Sequence, residues 1–325
     1  MSKILKDNRG LALLLTILVI SLIVPFTLQF NMSMLSELES AANLRDGIKL
    51  SYIAKSGFHY ALAVLYMDAT ETTFDTLLED WADESTLSST SSSLFEDGRF
   101  DVKIVDHSGR IQINHLVDKD GNYNTKQKEL LERFLSSEEF ELESEDVGNI
   151  LDAIKDWIDP DNEVTKFGAE NAYYQALDKP YACKNGPLAF PEELLLIRGI
   201  TKELFYGTSE SKGLSNYVST HGQGLININT ADPFVLRALS EHMDQELLDD
   251  LISYREDEDN DLSQVGWYKN IPGMSSEVSI DDLIATSSTH FEIVSDGFQN
   301  AMKKRITGFV ERQKNKIKIL SWSVE

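Results

Sequence analysis

A run of acidic side chains between residues 159 and 170 has the spacing of a metal-binding loop. Counted from the first acid as position one, acids stand at positions one, three, five and twelve: Asp159, Asp161, Glu163 and Glu170. Twelve-residue loops that wrap calcium use this spacing, with a backbone carbonyl at position seven, here that of Thr165. Carboxylate oxygens at this density suit Ca²⁺ better than zinc or copper. The pattern therefore predicts calcium as a cofactor.

The loop departs from the EF-hand pattern in two places, which leaves an alternative open. Val164 stands at the sixth position, where the EF-hand has glycine, and Pro160 stiffens the second. The alternative is an acidic, solvated junction between two helices. A second run spaces Asp257, Asp259 and Asp261 two residues apart, which gives a possible second calcium site or another solvated loop.

Patterns typical of catalysis are missing from the sequence. The six histidines show no H-E-x-x-H spacing, and there is no G-x-S-x-G and no glycine-rich phosphate loop. The one cysteine, Cys183, excludes an internal disulfide, and the pattern favours a small buried side chain over a nucleophile. We therefore predict that the chain is not an enzyme.

The acidic loop needs flanking elements to hold it, and the periodicity predicts a helix on each side, at 147–158 and 171–177. Helices and strands alternate unevenly along the rest of the chain. Helices are predicted at 127–135, 192–197, 202–206, 231–241 (with Thr230 as N-cap) and 245–255, and strands at 99–106, 109–114, 224–230, 290–294, 305–312 and 316–324. Residues 71–93, acidic and rich in serine, predict a solvated loop. This order indicates an α+β domain interrupted by a helical insertion.

The N-terminus predicts a membrane anchor. Twenty uncharged residues, 11–30, match a hydrocarbon core roughly 30 Å thick, and Pro25 is tolerated in such a helix. A secretory signal would be shorter and would end in a small-residue cleavage site, which is missing here. Apolar residues at three- and four-residue steps then continue the helix to a length of some fifty residues.

Charge orients this anchor. Lys3, Lys6 and Arg9 precede the apolar run against one acid, Asp7, so the N-terminus is predicted to be cytoplasmic and the rest of the chain exported. The formal net charge of −24 repels phosphate backbones, which makes nucleic acid an unfavourable partner, and it attracts cations.

Motifs in a fixed order give the chain a family resemblance. Arg9-Gly10 before Leu11-Ala-Leu-Leu-Leu-Thr16 resembles a prepilin leader, which is cut between Gly10 and Leu11 by prepilin peptidase. Most pilins carry glutamate as the fifth mature residue, and this chain has Leu15 there. The remaining motifs are Asp106-His-Ser-Gly-Arg-Ile-Gln-Ile-Asn114, Asp156-Trp-Ile-Asp-Pro-Asp161, Gly168-Ala-Glu170, Asn185-Gly-Pro-Leu188, Glu192-Glu-Leu194 and Ile226-Asn-Ile-Asn-Thr-Ala231. The set resembles the minor pseudopilin K family of type II secretion systems, in which Leu15 would mark the tip position.

The resemblance implies a pilin-like fold: a long N-terminal helix and an antiparallel sheet, interrupted by a large α-helical insertion domain. It divides the chain into a leader (1–10), a transmembrane half-helix (11–30), the amphipathic helix with the first strands (31–114), the insertion (115–223) and the remaining helices and strands (224–325). It further implies calcium in the helical domain and an N-methylated mature terminus. The implied place is the bacterial inner membrane, as a single-pass protein with a periplasmic head.

The implied function is to cap the tip of the secretion pseudopilus, for protein export across the outer membrane. The implied partners are the I and J minor pseudopilins, other pseudopilus subunits, prepilin peptidase and inner-membrane lipid. Two alternatives stay open: a tip or adhesion protein of a type IV pilus, and a membrane-anchored nucleic-acid-binding protein. The second is suggested by helix-hairpin-helix-like stretches at 192–199 and 271–274, although their surroundings are acidic.

Overall fold

The structure is a computed structural model that describes residues 8–89, 91–209, 211–274, 278–314 and 316–325. The predicted leader, residues 1–10, lies mostly outside these ranges. Helix α1 runs unbroken over Asn8–Glu71, so it is longer than the predicted fifty residues. Its interior Pro25 does not end it, and the membrane-length part, 11–30, is exposed on all sides.

A four-stranded antiparallel sheet packs on the second half of α1. Its strands are β1 (Arg99–Asp106), β6 (His290–Gln299), β7 (Met302–Gln313) and β8 (Lys316–Val324), and their spatial order is β1-β6-β7-β8. Burial alternates along the inner strands because successive side chains point to opposite faces. These four segments are the predicted strands, extended by several residues in β6 and β7.

Aromatic and aliphatic side chains from α1 and the sheet form the first hydrophobic core. Its fully buried members include Phe58 of α1 and the strand residues Phe100 and Phe291. Gly57 allows the close approach, because a β-carbon there would come within 2.4 Å of the Ser295 hydroxyl. We call this unit the sheet core.

The serine-rich segment 71–93 is not the solvated loop that its composition predicts. It contains two short helices, α2 (Glu84–Ser89) and α3 (Ser91–Leu94). Trp81 and Leu87 anchor it in the sheet core, and the Trp81 ring lies edge-on to Phe291 at 5.4 Å. The burial of two apolar side chains thus determines where this segment lies, although most of its residues are polar.

The chain between β1 and β6 forms a second, larger core, which we call the inserted core. Its helices are α4 (Thr125–Leu135), α5 (Ser144–Ile158), α6 (Asn171–Gln175), α7 (Lys202–Tyr206), α8 (Pro233–Ala238) and α9 (Gln245–Arg255). Two parallel pairs join β2 (Ile111–Gln112) to β3 (Val218–Ser219), and β4 (Ile226–Asn227) to β5 (Ile284–Ala285). Its buried residues extend from Ile111 to Ile284, so the predicted boundary at residue 223 does not coincide with the division between the cores.

Two predicted strands, 109–114 and 224–230, shrink to the two-residue strands β2 and β4. Asparagine side chains in or near them make hydrogen bonds to other parts of the chain. The Asn114 amide donates to the carbonyls of Leu188 (2.9 Å) and Thr220 (2.7 Å), and the Asn227 amide donates to the Ser288 hydroxyl (2.7 Å).

Two helix predictions also need correction. Asp232, not Thr230, is the N-cap of α8, because its carboxylate accepts from the Phe234 N–H at 2.9 Å. The Thr230 hydroxyl instead donates to Asp106 at the end of β1. The helix predicted at 192–197 is a 3-10 helix over Pro191–Leu196.

The inserted core is attached to the end of the sheet that lies farther from the membrane-length part of α1. Near its middle, α1 contacts strand β6 at Ser295, whose hydroxyl donates to the Ala54 carbonyl at 2.8 Å. Near its C-terminus, Asp68 binds Arg312 at 2.5 Å, beside the points where β1 ends and β6 begins. Helix α1 rises roughly 57 Å between Phe30, where the membrane-length part ends, and Asp68. The insertion therefore stands at the membrane-distal end of the molecule.

Candidate metal centre and membrane helix

The acidic loop sits between two helices, as its spacing predicts. Helix α5 ends at Ile158 with Asp159 as its C-cap: the Asp159 N–H donates to the Lys155 carbonyl at 2.8 Å, and Pro160 cannot continue the helix. Glu170 is the N-cap of α6, and its carboxylate accepts from the Asn171 N–H at 3.2 Å. Both end positions of the loop are thus fixed by helix termini.

Three of the four predicted ligands converge. Carboxylate oxygens of Asp159, Asp161 and Glu170 lie within 4.8 Å of one another. Glu163 does not join them: its side chain is exposed, and its N–H donates to the Asp161 carboxylate at 2.7 Å. The Thr165 carbonyl, predicted as the seventh-position ligand, accepts a hydrogen bond from Gly168 N–H at 2.6 Å.

Two oxygens in this cluster are buried without a hydrogen-bond partner: Asp159 Oδ1 and Glu170 Oε1. Their side chains are 0% and 2% exposed. An unpaired buried carboxylate oxygen costs free energy, and a bound cation would remove that cost. The donor set, which is oxygen alone, fits Ca²⁺. Asp159, Asp161 and Glu170 are therefore suited to hold it.

The electrostatics of the cluster also favour a cation. Burial, together with the charges of Asp156, Asp159 and Asp161, raises the pKa of Glu170 to about 7. Lys155 is the one basic side chain that binds the cluster among the described residues, with Nζ 2.5 Å from Asp159 Oδ2. One ammonium group cannot balance three carboxylates, so a cation that binds here displaces the Glu170 proton.

Acids on the face of α5 position the loop: Asp156, which the sequence suggests as a helix-face acid and not a ligand, and Asp152, which the spacing argument missed. Asp156 accepts from the Thr165 N–H at 3.1 Å, and Asp152 accepts from the Phe167 N–H at 3.3 Å. Gly168 completes the support, because a β-carbon there would lie 2.0 Å from Asp156 Oδ2. The available signal was the four-residue step between the two acids, which places them on one face of a helix.

The second acidic run forms no such cluster in the described part of the chain. Asp257, Asp259 and Asp261 are exposed. The carboxylate of Asp257 accepts from the Asp259 N–H at 3.0 Å, and that of Asp261 accepts from the Ser263 N–H at 2.9 Å. These are local turn contacts, typical of a solvated acidic loop.

The membrane-length part of α1 satisfies its own polar groups. Thr16 and Ser21 donate to carbonyls one turn back, both at 2.8 Å, which lipid requires. Gly10 and Leu11, the predicted cleavage pair, lie near the start of α1, and Leu15 is exposed on its surface. Among the described residues α1 is the one helix long and apolar enough to span a membrane, which fits a single anchor.

Comparisons with known proteins agree with this architecture. A family model described as type II secretion system protein K matches residues 109–207. Type II secretion system protein K of Aeromonas hydrophila is 27% identical over 238 residues, which cover 70% of this chain and 69% of the relative. The protein of the same name from Klebsiella pneumoniae is 24% identical over 234 residues, covering 70% and 67%.

A solved structure shares the fold. It is a chain of the crystal structure of the GspK-GspI-GspJ complex from the enterotoxigenic Escherichia coli type 2 secretion system. The TM-score is 0.69 at 18% identity, and the match covers 88% of this chain and 99% of that chain. The family model, the two relatives and the shared fold agree in one likeness: the chain is similar to type II secretion system protein K.

Proposed function

We propose that this chain is the minor pseudopilin that caps the tip of the type II secretion pseudopilus, in complex with the I and J minor pseudopilins. The observation that carries the proposal is the position of the inserted core beyond the membrane-distal end of α1. A subunit of this shape can pack its helix beside its neighbours, while its head leaves no room for another subunit above. The solved complex that shares the fold contains GspI and GspJ, which supports these partners.

The anchor fits this role. We propose cleavage by prepilin peptidase between Gly10 and Leu11, so that the mature chain starts at an N-methylated leucine in the bacterial inner membrane. The cytoplasmic side holds the N-terminus and the periplasm holds the head, following the basic residues before the apolar run. The role is assembly, not catalysis. The similarity to type II secretion system protein K favours it over the type IV pilus and nucleic-acid alternatives.

Leu15 is consistent with the tip position. A carboxylate in the membrane is costly unless a neighbouring subunit pairs it, and a tip subunit has no such neighbour above it. We expect Leu15→Glu to impair assembly and secretion, whereas Leu15→Met keeps both. Secretion by a strain that carries each variant, with the membrane-bound amount measured beside it, checks this. Full secretion by Leu15→Glu would contradict the tip assignment.

Purification tests the complex and the processing together. The full chain is co-expressed with the I and J subunits of the same system and extracted in detergent. It should purify as a complex that contains one copy of each subunit. N-terminal analysis of the membrane-extracted chain should start at N-methylated Leu11. A chain that starts after Phe30, or one that elutes alone, would overturn the proposal.

We also propose that the loop between α5 and α6 binds calcium through Asp159, Asp161 and Glu170. The ion would join the end of one helix to the start of the next and neutralise the buried carboxylates. Calcium titration of the full chain in detergent should show binding that Asp159→Asn with Asp161→Asn abolishes. The matched control is Asp257→Asn with Asp259→Asn, which removes the same charge from the exposed acidic run. Unchanged affinity in the first double variant would refute the site.

A further inference from the structure

The two edges of the four-stranded sheet differ in whether another part of the chain covers them. At the β1 edge, the Val102 N–H donates to the Ser88 hydroxyl of α2 at 3.1 Å, and Lys103 pairs with Glu84 at 2.5 Å. The chain thus covers this edge itself. At the other edge, β8 borders no further strand among the residues that the structure describes, and all its residues except Ile317 and Leu320 are exposed. An open edge is a template for strand pairing.

Backbone groups at the end of β8 face this open side. Arg305 and Glu325 exchange two hydrogen bonds, of 3.0 and 2.9 Å, so they form a hydrogen-bonded pair. Such pairs alternate along an antiparallel ladder. In the observed register, Ser323 therefore bonds to β7, while the N–H and C=O groups of Trp322 and Val324 point away from the sheet.

The side chains of β8 alternate as in a half-buried strand, but the apolar half is uncovered. The register places Ile319, Trp322 and Val324 on the side of the sheet that faces α1. They are 44%, 44% and 45% exposed. The opposite side of the strand carries Lys316 and Lys318. A strand with this pattern normally packs its apolar side against a partner.

The charge of this edge indicates which kind of strand it would bind. The last 24 residues hold seven of the chain's 30 basic residues but two of its 54 acids, in a protein of net charge −24. Lys303, Arg305 and Arg312 pair with acids of this chain, whereas Lys316 and Lys318 lie on β8 itself, which carries no acid. Such a basic edge disfavours a basic strand and attracts an acidic one.

The exposed apolar surface continues from β8 onto α1. Leu44, Ile48 and Tyr52 lie exposed at four-residue steps on one face of the helix. The Lys55 ammonium joins this stripe to the strand, at 5.8 Å from the Tyr52 ring centre and 5.7 Å from that of Trp322. An occupant of the edge would thus also contact the helix of this chain.

We propose that β8 accepts an added strand from the neighbouring pilin-like subunit, with apolar side chains towards α1 and acidic ones opposite Lys316 and Lys318. The inference rests on the proposed function, because it names the surface through which the neighbour in that complex binds. It adds backbone pairing between sheets to the packing of helices.

Hydrogen exchange on the complex with the I and J subunits tests this. The amides of Trp322 and Val324 should exchange at least tenfold more slowly in the complex than in the free chain. A complex in which these amides exchange at the free rate would refute the added strand and leave the proposed function intact. Failure to form any complex would refute both.

A proline variant tests the backbone contact directly. Val324→Pro removes an outward N–H without removing a bond to β7, whereas Val324→Thr keeps that N–H. We expect the complex to weaken at least tenfold with Val324→Pro and with Lys316→Glu plus Lys318→Glu, and to be unchanged with Val324→Thr. Equal affinity of the proline and threonine variants would overturn the proposal.

Discussion

The two cores of this molecule are stabilised in different ways. The sheet core is closed by apolar side chains of α1 and four regular strands. The inserted core, although larger, also buries carboxylates and amides, among them Asp152, Asp156, Asp159, Glu170 and Asn229. Each of these polar groups needs a specific partner. Apolar side chains make up most of the first core, with a few buried polar contacts such as those of Ser295 and Arg312, whereas the second buries more carboxylates and amides and includes the loop at 159–170.

The largest effect should come from breaking the polar contact between the two cores. Arg312 of β7 is 7% exposed and binds Asp68, Asp75 and the Ser288 carbonyl. Arg312→Met leaves two buried carboxylates without their cation, which should lower the free energy of unfolding by about 3–5 kcal/mol. Denaturant unfolding of the full chain in detergent measures this.

The matched control is Arg305→Met on the same strand. Arg305 is 42% exposed and pairs with Asp296 at 2.7 Å, so its loss should cost below about 1 kcal/mol. Similar losses for the two variants would show that Arg312 does not act as a buried connection.

Acid should weaken the junction between the cores through a second group. His107, directly after β1, is buried against Phe309, with Nε2 3.3 Å from Glu292. Burial lowers its pKa to about 4, so its stabilising contribution is complete above about pH 6.5 and is lost as the pH falls towards 4. By pH 5 the loss should reach roughly 2 kcal/mol.

Unfolding measured at pH 7.5 and pH 5 checks this. His107→Gln should reduce the acid destabilisation by that amount, and the exposed His242→Gln should leave it unchanged. His221 and His290, whose pKa values burial also lowers, account for a further part. An unaltered pH dependence in His107→Gln would contradict the assignment.

Two glycines of α1 test the tight packing of the sheet core. A β-carbon at Gly57 would lie 2.8 Å from the Phe100 ring, whereas Gly47 has no atom within 4 Å. Gly57→Ala should destabilise by about 1–3 kcal/mol through overpacking. Gly47→Ala should stabilise by up to about 1 kcal/mol through helix propensity. If the melting temperature changes in the same direction for both variants, the two glycines do not differ in packing as described.

The sequence predicted the regular parts of both cores. Helix α9 begins and ends where the periodicity placed it, at Gln245 and Arg255, and β8 spans the predicted 316–324. These elements are long enough for the hydrophobic period to be decisive. The loop between α5 and α6 was also predicted, because its flanking helices are amphipathic.

The rest was not predictable, because it depends on contacts distant in sequence. Asn114 bonds carbonyls 74 and 106 residues away, in a 3-10 helix over Ile113–Leu116 where the pattern predicts a strand. Trp81 buries a segment that composition assigns to solvent. Spacing also placed Glu163 in the site and left the run at 257–261 as a possible second site, since spacing carries no information on burial.

Hydrogen exchange of the full chain with and without calcium tests the difference between the cores most directly. We predict that calcium slows exchange in α5, in the loop at 159–170 and in α6, while the amides of β6 and β7 are unchanged. The Asp159→Asn with Asp161→Asn variant should show no calcium effect. Equal protection of both cores by calcium, or no protection at the loop, would contradict the account.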